Sequence, residues 1–184
     1  MRRISSLAAS RTGAKALFII SVASSRALLE NLEALSERYM RGVPREVIAL
    51  EAHRHGYAEG IALDVAGHVS EGSGENLFVV RDGVLVTPPV AAQLFPGITR
   101  DAVRTLASSL GYEVREEAFP QEALYAADEL FFTGTAVEIT PIRSVDGIVI
   151  GAGGRGPITT ALQDAFFGIV RGAAPDRWSW LEYV

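Results

Sequence analysis

Two Asp-Gly pairs constrain the fold of this chain more than any other feature of its sequence. Asp82-Gly83 and Asp146-Gly147 each lie between two short apolar runs. Asp-Gly favours the tight two-residue turn of a β-hairpin, because both turn positions need a positive φ that Asp tolerates and Gly adopts freely. The sequence therefore predicts a sheet in which many neighbouring strands are antiparallel.

Helices are expected to pack against this sheet. Apolar spacing and the flanking glycines and prolines predict helices over 28–40, 46–55, 99–110, 120–126 and 157–170. Strands are expected over 60–65, 76–80, 84–87, 112–116, 129–132, 137–142 and 148–150. Because the strands outnumber the helices and tight turns join many of them, the predicted fold class is α+β, with a mostly antiparallel sheet and packed helices.

Composition restricts the range of possible functions. The chain has 184 residues, of which 48% are hydrophobic, and this is enough for one domain with a sizeable core. Its net charge of −5 argues against a general nucleic-acid binder. Since cysteine is absent, disulfides, thiolate metal sites and a cysteine nucleophile are excluded. The longest strongly apolar run, 16–23, is too short to span a bilayer.

The N-terminal segment differs from the rest of the chain. Residues 1–29 are basic, rich in Ser and Ala, and contain no acidic residue. This composition resembles an organelle transit peptide, while the apolar stretch 17–23, which ends in Ser-Val-Ala, would also fit a signal peptide. The favoured interpretation is a poorly ordered or partly helical leader over 1–45. A cytoplasmic location is then expected, with organelle targeting as the alternative if 1–29 is a transit peptide.

Three glycine-containing turns are the candidate chemical sites. In 70–76, Ser-Glu-Gly-Ser-Gly-Glu-Asn, two glycines allow close backbone approach to a ligand and carboxylates flank them, although a wide hairpin loop with solvated acids has the same pattern. In 96–100, Pro-Gly-Ile-Thr-Arg, a predicted helix begins, so an anion site and a plain N-cap at Thr99 are both open. In 133–136, Thr-Gly-Thr-Ala, small residues and hydroxyls follow a strand.

The histidines indicate no metal centre. His53 and His55 are two residues apart on a predicted helix, so their side chains point to different sides and do not form a metal site with Glu51. His68 lies beside a strand and is expected to be exposed. No nucleophile-elbow pattern occurs in the chain.

Taken in order, the motifs around the three turns resemble the class IV, pyridoxal-phosphate-dependent aminotransferases. The matching segments are 56–64 (Gly-Tyr-Ala-Glu-Gly-Ile-Ala-Leu-Asp), 70–78, 96–100 and 133–141. Within that class, 156–159 (Gly-Pro-Ile-Thr) and 178–181 (Trp-Ser-Trp-Leu) are similar to the branched-chain amino-acid aminotransferases. The resemblance implies that 46–184 is the large cofactor-binding domain of a fold type IV enzyme, with a barrel-like sheet.

The resemblance also implies roles for individual residues. Glu71 matches the carboxylate that pairs with the pyridine nitrogen of pyridoxal 5′-phosphate. Ile98 and Thr99 match the backbone and hydroxyl cradle of the cofactor phosphate, and Thr135 matches a second phosphate contact. Thr135 and Ala136 match the turn that receives the substrate carboxylate. The implied substrates are Leu, Ile or Val and 2-oxoglutarate, and a homo-oligomer is expected, with neither nucleic acid nor membrane as a partner.

The family's Schiff-base lysine is missing at the matching position. Counting back from the Gly-Tyr pair at 56–57, that lysine falls at Glu37, and the Asn-Tyr pair that follows it falls at Arg41-Gly42. The only lysine of the chain, Lys15, lies in a different context. We therefore expect no catalytic lysine, weakened cofactor binding and no activity of the chain alone. A truncated gene with a shifted reading frame, or a foreign leader, would explain the loss of pattern before Glu46.

Three other interpretations stay open from the sequence. The chain is an active enzyme if Lys15, or a lysine of a partner chain, replaces the missing amine. It is a non-catalytic binding or assembly protein if it retains only the fold. D-amino-acid transaminases and aminodeoxychorismate lyases share the scaffold, so the preference for branched-chain substrates depends on the tryptophan motif at 178–181.

Overall fold

A computed structural model describes residues 15–21, 45–64, 66–89 and 97–182. Four helices lie in these ranges: α1 (Arg45–Arg54), α2 (Ile98–Ser109), α3 (Glu122–Tyr125) and α4 (Pro157–Val170). The strands there are β1 (Lys15–Ser21), β2 (Glu59–Leu63), β3 (Val69–Gly72), β4 (Asn76–Arg81), β5 (Val84–Thr87), β6 (Val114–Glu116), β7 (Glu129–Gly134), β8 (Glu138–Val145) and β9 (Ile148–Val149). No helix of this described part is long and apolar enough to cross a membrane.

The strands form one sheet in the order β3-β2-β1-β8-β7-β4-β5-β6, with β9 paired to β8. Most neighbours are antiparallel; the exceptions are β1, which runs parallel to both β2 and β8, and the parallel pair β5–β6. The predicted α+β fold with a mostly antiparallel sheet is therefore confirmed.

Both Asp-Gly pairs form the predicted hairpin turns. Asp82 and Gly83 have φ values of 51° and 79° between β4 and β5, and Asp146 and Gly147 have 50° and 79° between β8 and β9. Positive φ at both turn positions is the type I′ pattern, whose twist matches that of the flanking strands. Local chemistry is thus sufficient to place these two hairpins.

The sheet separates two apolar cores. Leu77 and its cross-strand partner Phe132 lie in the core that also contains α3 residues. Phe78 and its partner Phe131 lie in the other core, which α2 and α4 cover, and their rings stack at 5.1 Å between centroids. Successive residues of a strand point to opposite faces. The central strands β4 and β7 are therefore buried on both sides.

The leader differs from its expected state where the structure describes it. Residues 15–21 form β1, a strand inside the sheet, rather than a poorly ordered or helical segment. Pairing of β1 with β2 and β8 explains the difference, because both partners lie far away along the chain and no local pattern reveals them. The expected helix over 28–40 lies outside the described residues.

A second unpredicted strand is β3. Its sequence, Val-Ser-Glu-Gly, has little β-propensity, and we expected a loop from Ser70 onward. Antiparallel pairing with β2 overrides this preference, with Ile61 opposite Gly72 and Leu63 opposite Val69. Glu71 consequently lies on a strand at the margin of the sheet.

Candidate cofactor site

The three glycine-containing turns meet at one end of β4 and β7. Asn76, the first residue of β4, pairs with Thr133 of β7. The side-chain oxygen of Asn76 lies against the α-carbon of Gly97, where a β-carbon would overlap it. A β-carbon on Gly134 would lie 3.4 Å from the carbonyl oxygen of Gly74. The segment 70–76 therefore touches both of the other turns.

Glu75 holds the first turn in shape. Its backbone carbonyl accepts a hydrogen bond from the N–H of Gly72 at 2.8 Å, and its carboxylate accepts one from the N–H of Gly74 at 2.9 Å. A β-carbon on Gly72 would lie 2.8 Å from that carboxylate and 3.0 Å from the ring of Phe132. Only glycine fits at position 72. Glu71, the neighbouring acid, is buried on β3 with 8% of its surface exposed.

The second turn starts α2. Gly97 is the N-cap residue, so of the two alternatives left open for Thr99 the N-cap is wrong. Thr99 and Ile98 lie in the first turn of the helix, and Thr99 is buried with 8% exposure. Backbone N–H groups and the positive end of the helix dipole make such a start favourable for an anion. A hydroxyl here that does not cap the helix is available to a ligand.

The third turn connects β7 and β8. Thr135 and Ala136 are exposed in it, whereas Thr133 and Gly134 close β7. The hydroxyl of Thr140 donates a hydrogen bond to the carbonyl of Val137 at 2.6 Å and so fixes the turn.

Glu138 begins β8 beside this turn. It has a φ of 52°, an uncommon value for a residue with a side chain. Burial raises the pKa of Glu138, and the nearby Arg171 partly opposes that shift. The strand thus starts at a half-buried acidic residue in a backbone conformation that favours glycine.

The sequence analysis assigned no role to one buried side chain. Arg100 follows Thr99 on α2 and is 1% exposed. Its guanidinium donates to the Thr87 hydroxyl at 3.2 Å, to the Pro88 carbonyl at 2.9 Å and to the Glu116 carboxylate at 3.0 Å. These bonds tie the start of α2 to the ends of β5 and β6. Its place as the last residue of the turn 96–100 was the only signal, and its partners could not be predicted from the sequence.

Other candidate residues lie elsewhere. Glu37 and the pair Arg41-Gly42 lie outside the described residues. Lys15 begins β1, with Ile142 of β8 as its backbone partner. His55, directly after α1, hydrogen-bonds Glu51 at 3.1 Å, and the part of the chain that the structure describes contains no cluster of three or more potential metal ligands.

The groups at the three turns fit pyridoxal 5′-phosphate. A phosphate is an anion, and the start of α2 with the Thr99 hydroxyl suits one. The hydroxyl oxygen of the buried Thr133 has no hydrogen-bond partner among the described residues, which leaves an unused donor on β7 beside Asn76. Glu71 supplies a carboxylate of the kind that a protonated ring nitrogen needs.

The fold and these turns define a class of protein. The sequence pattern of the family Amino-transferase class IV matches residues 42–145, more than half of the chain. The chain therefore belongs to the class IV aminotransferase family. It is 49% identical over 175 residues to the branched-chain-amino-acid aminotransferase of Escherichia coli (strain K12). That match covers 87% of this chain and 57% of the relative, so the chain spans little more than half of the relative's length.

Solved structures agree with this assignment. The branched-chain amino acid aminotransferase from Escherichia coli has a TM-score of 0.73 and 57% identity, and covers 76% of this chain and 47% of its own. The branched-chain aminotransferase from Thermoproteus uzoniensis, solved with norvaline, has a TM-score of 0.78 and 36% identity, over 94% of this chain and 56% of its own. The predicted fold type IV architecture is thereby confirmed.

The sequence similarity begins earlier than expected. The share of 87% matched by the Escherichia coli relative is more than residues 46–184 make up. The family pattern itself begins at residue 42. Part of the segment before Glu46, in which we found no family motif, is therefore included in the match.

Proposed function

We propose that this chain is the cofactor-binding portion of a branched-chain aminotransferase and that it binds pyridoxal 5′-phosphate at the three turns. The observation that carries the proposal is the convergence of segments 70–76, 97–99 and 133–136 at one end of β4 and β7. The whole protein would transfer the amino group of Leu, Ile or Val to 2-oxoglutarate. In this proposal residues 46–184 supply the site, and β1 supplies a strand of the supporting sheet.

The roles of the side chains follow from their chemistry. Ile98 and Thr99, in the first turn of α2, would hold the phosphate through N–H groups and the Thr99 hydroxyl. Thr135, exposed in the third turn, would add a second hydroxyl to the phosphate, and with Ala136 it would present N–H groups to the substrate carboxylate. When bound, pyridoxal 5′-phosphate supplies an electron sink for the α-carbon of the amino acid.

Glu71 would control the charge of the cofactor ring. A buried carboxylate favours the protonated form of a pyridine nitrogen beside it, because an opposite charge stabilises the cation. Burial strengthens the pairing, since water screens the charges less than at the surface. Glu71 would therefore keep the ring nitrogen protonated.

The chain alone is proposed to bind without catalysing transamination. The family's reaction needs a lysine amine, and Glu37 stands at the matching position. Arginine is effectively always protonated and cannot replace it. Lys15 is the single lysine of the sequence and lies on β1 in another context.

A borohydride experiment tests the proposal and its rivals. The purified chain is mixed with pyridoxal 5′-phosphate, binding is measured by equilibrium dialysis, and borohydride is added before mass spectrometry. Saturable binding without covalent fixation is expected. Fixation on Lys15 would instead support an active enzyme that uses this residue, and the absence of saturable binding would overturn the proposal. The Lys15→Arg variant is the matched control, because it retains the charge without the reactive amine.

A non-catalytic binding or assembly role is the second candidate, and the missing lysine favours it. Such a protein would retain saturable ligand binding. It would not acquire transaminase activity when residues 1–46 are replaced by the N-terminal half of a relative. Branched-chain substrates are proposed over those of D-amino-acid transaminases because the relatives with 49% identity carry that name. The homo-oligomer and the cytoplasmic location stay predictions.

A further inference from the structure

Thr133 carries a buried hydroxyl that the fold does not use. The residue is 0% exposed, and its Oγ1 has no hydrogen-bond partner in the part of the chain that the structure describes. Buried polar groups are nearly always hydrogen-bonded, and an unpaired one destabilises the folded state. A ligand that accepts a hydrogen bond at this point would explain why a hydroxyl is present.

The strand register shows where this hydroxyl lies. Thr133 pairs with Asn76, and two residues further along each strand Phe131 pairs with Phe78. Side chains two apart on a strand share a face, so Thr133 and Asn76 lie on the face that α2 and α4 cover. The Asn76 side chain on this face lies against Gly97, the N-cap of α2. Thr133 is therefore the cross-strand neighbour, on the same face, of the residue that contacts the start of α2.

A second helix in the same protein provides a comparison. Both α2 and α4 begin with a glycine N-cap, and Thr99 and Thr159 lie in their respective first turns. At α4, the buried carboxylate of Glu129 accepts hydrogen bonds from the first N–H groups at 2.8 and 2.9 Å. At α2, the side chain that contacts Gly97 is the neutral amide of Asn76. The first turn of α2 does contain an acid, Asp101, but its side chain is 64% exposed, and the contact at Gly97 itself supplies no negative charge.

We propose that the Thr133 hydroxyl donates a hydrogen bond to a phosphate group held at the start of α2, as a binding residue in addition to Thr99 and Thr135. The ligand class is a phosphomonoester. This inference rests on the proposed function, because pyridoxal 5′-phosphate is the phosphomonoester expected there. Thr133 stands two residues before Thr135, and only the register with Asn76 reveals its direction.

The test compares the parent chain with variants that differ from it in one side chain. Thr133→Val replaces the hydroxyl by a methyl group of similar size, Thr133→Ser restores a hydroxyl, and Thr159→Val is the matched control with an equally buried, unpaired hydroxyl at α4. Dissociation constants for pyridoxal 5′-phosphate, pyridoxal and inorganic phosphate are measured by equilibrium dialysis. Thermal unfolding without ligand checks the fold of each variant, and Thr133→Ala replaces Thr133→Val if the latter does not fold.

Thr133→Val is expected to weaken binding of pyridoxal 5′-phosphate about tenfold, as for a lost hydrogen bond to a charged group. Pyridoxal binding should not change, Thr133→Ser should bind as the parent does, and Thr159→Val should have no effect. Without ligand, Thr133→Val should be at least as stable as the parent, because it removes an unpaired buried hydroxyl.

The outcomes separate this inference from the proposed function. Normal pyridoxal 5′-phosphate binding by Thr133→Val would overturn the inference alone. A parent chain that binds only inorganic phosphate, and loses it in Thr133→Val, would support the inference and overturn the proposed function. A parent chain that binds neither phosphate compound would overturn both.

Discussion

The carboxylate of Glu129 accepts a hydrogen bond from the backbone N–H of Thr159 at 2.8 Å, across thirty residues of sequence. Its other oxygen accepts one from the N–H of Ile158 at 2.9 Å. A β-carbon on Gly156 would overlap this carboxylate, so the glycine before α4 provides the space for Glu129. The first residue of β7 thus caps a helix on the neighbouring layer.

Removal of this cap should destabilise the protein. Glu129→Ala is expected to lower the free energy of unfolding by about 2 kcal/mol, because two buried N–H groups lose their acceptor. Urea unfolding followed by circular dichroism measures the change. Glu122→Ala, at an exposed position in α3, is the control and should change stability by less than about 0.5 kcal/mol. Equal stabilities of the two variants would contradict the role of Glu129.

Arg100 should be the more important of two arginines on α2. Arg100→Met removes the donor to Thr87, Pro88 and Glu116, and we expect a loss of about 3 kcal/mol in stability because buried acceptors lose their partner. Arg104 also pairs with Glu116 but its side chain is 39% exposed, so Arg104→Met should cost less than about 1 kcal/mol. Urea unfolding of both variants measures the two losses in stability. A larger loss in Arg104→Met than in Arg100→Met would refute this ranking.

The C-terminal tail, residues 176–182, should respond to acid. Asp176 accepts hydrogen bonds from the N–H groups of Leu181 and Trp178, and these lower the pKa of Asp176 below its usual 3.8. Because the pKa of Asp176 is lower in the folded chain, its carboxylate stabilises the tail at pH values above 3.8, the pKa of the unfolded chain. This contribution is lost as the pH falls through the lower pKa of the folded chain. Acrylamide quenching of the stacked Trp178 and Trp180 should therefore increase below pH 3.8.

The Asp176→Ala variant checks the cause of that response. It should show the increased quenching already at neutral pH, with no further step on acidification. Asp164→Ala, at an exposed position on α4, should behave as the parent chain does. A parent-like acid response in Asp176→Ala would show that another group governs the tail.

Glu71→Gln should weaken binding of pyridoxal 5′-phosphate about tenfold, because a neutral amide replaces the acceptor that is proposed to pair with a charged ring nitrogen. The absorbance of the bound cofactor should also titrate at lower pH than in the parent, since the carboxylate no longer favours the protonated ring. Glu117→Gln, at an exposed position, is the control. Unchanged affinity in Glu71→Gln would show that the first turn does not contact the ring.

Transamination by the chain alone is expected to stay at the background of free cofactor. The assay is glutamate formation from leucine and 2-oxoglutarate. Glu37→Lys should not restore activity, because Arg41-Gly42 stand where the family has Asn-Tyr. Replacement of residues 1–46 by the matching half of a relative should restore it. Turnover by the unmodified chain that Lys15→Ala abolishes would reverse this conclusion.

Local chemistry explains which parts of the fold could be predicted. The Asp-Gly hairpins and helix α4 are encoded by neighbouring residues, and α4 has the predicted bounds of Pro157 and Val170. Strands β1 and β3 could not be predicted, because β1 gains its partners from distant segments and β3 has a sequence of low β-propensity.

The same difference between local signals and long-range contacts applies to the candidate site. Motif resemblance pointed to the three turns, and the structure brings those turns together. Thr133 and Arg100 stand within those turns, but their individual roles could not be predicted, because the role of Thr133 depends on its register with Asn76 and that of Arg100 on partners in β5 and β6. The role of a residue that depends on a neighbour in another strand cannot be predicted from the linear sequence.

The position of β1 sets a limit on how this protein can be divided. Among the described strands, β1 is the hydrogen-bonded link between β2 and β8, and it is parallel to both. A fragment that starts at residue 46 would leave two interior strands with unsatisfied backbone groups facing each other across a gap, and such edges recruit strands from other molecules. The fragment is therefore a candidate for strand exchange, in which a peptide equivalent to residues 15–21, supplied in trans, would complete the sheet.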